Sequence, residues 1–297
     1  MADDSLRTDG ARWRTLIRRV SPVDALLLAS VPLAILAVFS LPAATRETLV
    51  FQYAAPSVRT AFLAPFVHFD PGHLLFNLVG YALIVSALYV LSLSAGHLRE
   101  FRVVFLALLV SSPLLLSYLN LTVVRGGVTF GFSGVLMAYY GYLPLTLAEH
   151  AESRLDLGQV RTVAPLLFFV GLTLVTIQTL RAVLANPVTV AVDGVPTSVT
   201  WVLVATLAEL LVLLVVVVVF YSLYVAGGQT DLRTRLVRTV EKEGHFELAV
   251  LATVLFLAIP FLTFPADPIV GERVFNLYVH FVGYALGFIA TFAYRTL

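Results

Sequence analysis

Eight apolar runs constrain this chain more than any other feature. They cover residues 24–44, 73–94, 101–121, 131–148, 163–182, 201–225, 247–265 and 276–294. Crossing about 30 Å of hydrocarbon takes roughly 20 helical residues, within a range of about 17–25, and all eight runs qualify. In lipid the backbone must satisfy its own hydrogen bonds. The runs are continuous rather than alternating, which selects helices over barrel strands. Hydrophobic residues make up 59% of the chain and charged residues 12%, far from the roughly 45–50% and 25% of soluble domains. The expected fold is therefore all-α, a polytopic membrane helix bundle of about eight transmembrane helices. The first run exceeds the about 7–15 residues of a signal-peptide core, so it is read as a retained span. Residues 1–23 are polar and basic. They are expected to form a cytoplasmic tail, either an amphipathic surface helix or a disordered arm with stop-transfer charges. Residues 24–297 form one membrane domain.

Charge sets the orientation. With a cytoplasmic N-terminus, 14 of the 19 Lys and Arg residues fall in inner segments and 5 in outer ones. The positive-inside bias favours this arrangement, and eight spans return the C-terminus to the cytoplasm. A plasma-membrane location with both termini cytoplasmic is expected. The net charge of +1 gives no case for nucleic acid. The absence of cysteine excludes disulfides, thiolate metal sites and a cysteine nucleophile. No histidine–carboxylate spacing suggests a metal site, and no cofactor is expected.

The remaining polar residues collect at one depth. The second span enters from outside and begins with His73 and Asn77, four apart and so on one helical face. The fourth also enters from outside, with Ser133 in Gly131-Phe132-Ser133-Gly134 near its start. The eighth does the same, with His280 near its start. Ser133 and His280 are 147 residues apart, yet parity makes their helices parallel and their depths alike. A metal-free peptide hydrolase needs a nucleophile, a base within reach and donors for the developing oxyanion. Ser133 can attack. His280 can take its proton, since an imidazole titrates at about 6.5. His73 and Asn77 can donate from their side chains, and the backbone N–H groups around Ser133 can add to them. Small residues at Gly134, Ala138 and Gly141, and at Gly283 and Gly287, would let the two helices approach closely.

The segments HLLFN at 73–77, GFSGVLMAYYG at 131–141 and HFVGYALG at 280–287 resemble, in order and position, those of the rhomboid intramembrane serine proteases. The resemblance implies a six-helix core, here with two further spans, for which 163–182 and 201–225 are the expected pair. It implies Ser133 as nucleophile, His280 as its partner, and His73, Asn77 and Gly131 on the oxyanion side. It sets His68 near water access, outside the chemistry. It implies membrane-protein substrates cut near the outer leaflet by a Ser–His dyad. Two features depart from the family. The first outer loop lacks the Trp of a Trp-Arg pair, and Met137 stands where many members place a Tyr against the catalytic histidine.

Two other readings stay open on the sequence. One is a catalytically inactive rhomboid-like protein that binds membrane clients. The other is a transporter using Glu209 and His280, since an intramembrane carboxylate is a functional hypothesis by default. Glu209 is expected to meet a neighbouring helix, with Gln178 as one candidate partner.

Overall fold

In the computed structural model, residues 20–122, 127–192, 195–227, 237–242, 244–264, 269–270, 273–274 and 276–296 are described. The expected surface helix or arm of the N-terminal tail lies outside them, except for its last residues. Eight long helices coincide with the eight apolar runs. They are α1 (Pro22–Phe39), α2 (Pro71–Ala95), α3 (Leu98–Leu119), α4 (Ser133–His150), α5 (Val160–Ala185), α6 (Thr200–Gly227), α7 (His245–Thr263) and α8 (Leu277–Thr296). All but α4 are long and apolar enough to cross a membrane. The protein is an integral, multi-pass membrane protein.

α4 falls short of that measure because it carries Tyr139, Tyr140, Tyr142, Pro144, Glu149 and His150. Its surroundings explain why it can. Every residue from Gly134 to His150 is buried. α2, α3, α5, α7 and α8 all pack against it, so protein rather than lipid solvates it. Its tyrosines are bonded accordingly: Tyr139 donates to the Phe105 carbonyl at 3.0 Å and Tyr140 to that of Phe256 at 2.8 Å.

The helix ends follow local rules. Ser21 caps α1, with Pro22 at the first helical position, and Asp70 caps α2, followed by Pro71. Both proline placements suit a first turn, whose amides have no partner within the helix. Gly96 ends α2 at φ 88°, a left-handed position that suits glycine.

At the end of the bundle opposite Ser133, charges tie the helices together. Arg102 makes a two-point ion pair with the buried Asp24, at 2.6 and 2.9 Å. Tyr89 donates to the same carboxylate at 3.1 Å. The buried Glu149 meets Arg295 at 2.8 Å and His97 at 3.2 Å. His150 is fully buried, with Nε2 3.0 Å from the His245 carbonyl. His97 and His150 thus serve as anchors between helices.

The segment 40–70 folds back on the bundle. Phe51, Ala61, Ala64, Phe66 and Val67 are buried. Phe51–Gln52 pairs antiparallel with Val128–Thr129, just before α4. Two more short hairpins pair Thr189–Val192 with Val195–Ser198 and Ile269–Val270 with Arg273–Val274. α6 packs on α5 at the edge of the bundle.

Candidate active site

α4 and α8 pack backbone to backbone, and glycine makes this possible. A methyl group added at Gly283 would strike the Gly134 carbonyl, and one at Gly287 the Ala138 carbonyl. One at Gly141 would strike the Tyr284 carbonyl. The two backbones therefore touch at these three points, over about two turns, as small-residue stripes permit.

That contact brings Ser133 to His280. His280 Nε2 lies 2.8 Å from Ser133 Oγ, and His280 is 2% exposed. Its Nδ1 lies 2.9 Å from the Thr263 carbonyl. A carbonyl only accepts, so Nδ1 carries the ring proton and Nε2 offers its lone pair to the serine hydroxyl, which donates. Thr263 is the last residue of α7, whose terminal carbonyls have no partner within the helix. The negative end of the α7 dipole thus faces the ring and favours any positive charge that develops there. Phe264 packs edge-on against the imidazole at 5.6 Å between centroids. Met137, by contrast, lies against Gly283.

The start of α8 is held by a polar relay. Asn276 Oδ1 accepts from the Val279 amide at 3.2 Å, in the manner of an N-cap. Its Nδ2 donates to Asn120 Oδ1 at 3.1 Å, and Asn120 donates to the Tyr53 hydroxyl at 2.7 Å. Sequence reasoning missed this relay, although an Asn before the apolar run of α8 is a helix-start signal.

The serine loop is fixed from the other side. Phe132 is fully buried, against Phe66 at 5.7 Å and Tyr81 at 6.2 Å. Gly131 sits at φ 98°, a left-handed value, and a Cβ there would collide with the His73 ring at 2.6 Å. Any larger residue would be strained and crowded. The Gly131 amide donates to the Ala64 carbonyl at 3.1 Å. The first bond of α4 runs from the Leu136 amide to the Phe132 carbonyl at 2.9 Å. The amides of Ser133, Gly134 and Val135 precede it, at the positive end of the helix.

His73 and Asn77 stand where the sequence places them, on one face of α2. The His73 amide bonds the Asp70 cap at 2.7 Å. Asn77 is fully buried and already uses its amide hydrogens. One goes to the His73 carbonyl at 3.0 Å and one to His68 Nε2 at 3.1 Å. Its Oδ1 has no hydrogen-bond partner among the described residues. His68 is buried beside His73, with 4.9 Å between ring centroids. Burial, reinforced by His73, pushes its pKa down to about 4.

Arg46 supplies the loop anchor that a Trp-Arg pair would have given. It donates to the His68 carbonyl at 2.5 Å and lies 5.0 and 5.3 Å from the Phe39 and Phe69 rings. A cavity of about 30 Å³ adjoins the serine, lined by Gly131, Gly134, Val135, Leu116, Asn120 and Val279. It has room for a water molecule and polar groups to hold one.

Glu209 is placed elsewhere. It is exposed on α6, and Gln178 instead accepts from Arg181 at 2.9 Å. The Gln178 partnership expected from sequence is replaced by one within α5.

Fold and site together define a polytopic helical membrane bundle of the rhomboid type with an apposed serine and histidine. Residues 55–192 match the family model of the Rhomboid domain, which supports a rhomboid-type protein. The match takes in His68, His73, Asn77 and Ser133 and ends before His280. No curated protein and no solved structure matches the chain.

Proposed function

We propose that the protein is an intramembrane serine endopeptidase that cuts transmembrane or membrane-proximal segments of other membrane proteins. The observation that carries this reading is the 2.8 Å approach of Ser133 Oγ to His280 Nε2, with Nδ1 on the Thr263 carbonyl. In the first step Ser133 attacks the scissile carbonyl while His280 takes the hydroxyl proton. The imidazolium is stabilised by the end of α7. The oxyanion meets the first-turn amides of α4 and the His73 ring. Asn77 joins them once one of its two bonds is released, and Gly131 shapes the loop that presents them. His280 then protonates the leaving amine. Water hydrolyses the acyl-enzyme by the same route in reverse, with His280 as base.

The split of Lys and Arg supports cytoplasmic N- and C-termini with Ser133 toward the outer leaflet, and the plasma membrane is the location proposed. A regular helix shields its carbonyls, so substrates are cut where the helix unwinds readily. Fluorophosphonate labelling tests the reading. The wild-type protein in vesicles should be labelled and Ser133→Ala should not. A folded wild-type protein that resists labelling would instead be an inactive, client-binding relative.

A further inference from the structure

The outward face of α6 carries an inference of its own. The helix turns its Leu207, Leu211, Leu214, Val218 and Tyr221 seam toward α5, with Leu214 buried and Tyr221 5.8 Å from Phe169. At 3.6 residues per turn, Glu209 lies on the opposite side. Its neighbours there are Val202, Val212, Val216, Phe220 and Leu223, all exposed. Glu209 is itself exposed and has no hydrogen bond or ion pair among the described residues. It sits about 13 Å along the axis from Thr200 and about 27 Å from Gly227, at about 1.5 Å per residue, so it lies within the hydrocarbon. A carboxyl group there is costly unless something pairs with it. Within this chain α6 offers nothing on that face but hydrocarbon.

We infer that the outward face of α6 docks a transmembrane helix of another protein that carries a Lys or Arg at the depth of Glu209. Charge complementarity selects this occupant. A second copy packed face to face would set Glu209 against Glu209, two like groups. The inference goes beyond the protease reading and does not depend on it.

The test uses the full chain in phosphatidylcholine vesicles. Because the chain has no cysteine, a donor fluorophore goes on Val195→Cys alone. Acceptor-labelled Leu/Ala transmembrane peptides carry either one Lys at the matching depth or Leu there. Energy transfer to the Lys peptide should reach half-maximum at about tenfold lower peptide density, which corresponds to about 1.4 kcal/mol. Glu209→Leu should remove the difference and leave fluorophosphonate labelling of Ser133 unchanged. Glu209→Lys should transfer the preference to a peptide carrying Glu. Equal transfer to the Lys and Leu peptides by the wild-type protein would overturn the inference. So would transfer between copies of the chain that Glu209→Leu abolishes, since the face would then be a self-association surface. Loss of labelling in wild type with peptide preference intact would strike the protease reading alone.

Discussion

α4 and α6 are opposite kinds of membrane helix. α6 is the most apolar of the candidate spans, and only 6% of its most apolar stretch is buried in protein. α4 is the helix whose sequence falls short of a span, and it is buried from Gly134 to His150. Hydropathy reports what the lipid touches. A helix enclosed by other helices is free to carry hydroxyls, a proline, a glutamate and a histidine, and chemistry is built from such groups. The glycines of α4 and α8 use the same freedom. They exchange lipid contact for backbone contact and so bring a serine and a histidine together. α6 has nothing to bring together inside the chain, and its one carboxyl group faces outward.

The contrast can be broken from the α4 side first. Losing one oxyanion donor typically costs roughly 10²–10³ in turnover. His73→Ala and Asn77→Ala should each lower kcat by that order in a liposome cleavage assay, with KM little changed. Full activity in both would remove them from the mechanism. Next is the helix contact. Gly287→Val forces the α8 backbone away from Ala138, and a displacement near 1 Å can cost about 10²-fold. Fluorophosphonate labelling should fall by about that factor in protein that still inserts. Comparable changes on α6, such as Val216→Ala with Phe220→Leu, should leave labelling unchanged. A loss there equal to that of Gly287→Val would end the comparison.

Acid gives a smaller effect, confined to the outer-loop side of the site. His68 is held neutral, with its pKa lowered from 6.5 to about 4. The unfolded chain therefore takes up the proton first. The stabilisation is whole above about pH 6.5 and is lost as pH falls toward about 4, because stability declines wherever the unfolded state binds more protons. Thermal unfolding in detergent should show a lower midpoint at pH 5 than at pH 7.5. His68→Gln should flatten that slope. An unchanged slope would mean that His68 is not the group responsible.

Much of this was legible in the sequence, for physical reasons. Length and continuity of the apolar runs fix where the long helices lie, and parity alone sets Ser133 and His280 at one end of the bundle. The short-range pattern GFSG and the glycines after His280 anticipate the close pairing of α4 and α8. Three things were not legible. The group that orients His280 is the Thr263 carbonyl, and a backbone atom leaves no mark in residue identities. Asn77 spends its amide hydrogens on His68 and His73, which depends on a loop returning to the helix start. Glu209 invites a partner inside the chain, but which side of α6 meets α5 is settled by packing across an almost uniformly apolar helix. Arg46 and Phe264 show a related point. The first outer loop has an anchor without a Trp, and the ring beside the histidine comes from Phe264 at the end of α7 rather than from position 137.

The central claim is that Ser133 and His280 act as one unit. Ser133→Ala, His280→Ala and the double variant should be reconstituted in liposomes with a transmembrane substrate, with folding checked by thermal stability. Catalytic groups that act together are strongly non-additive. Each of the three should lose roughly 10⁴-fold or more, and the double variant should lose little beyond either single one. Retained cleavage by folded Ser133→Ala would contradict the account outright. Losses that multiply in the double variant would contradict the coupled pair.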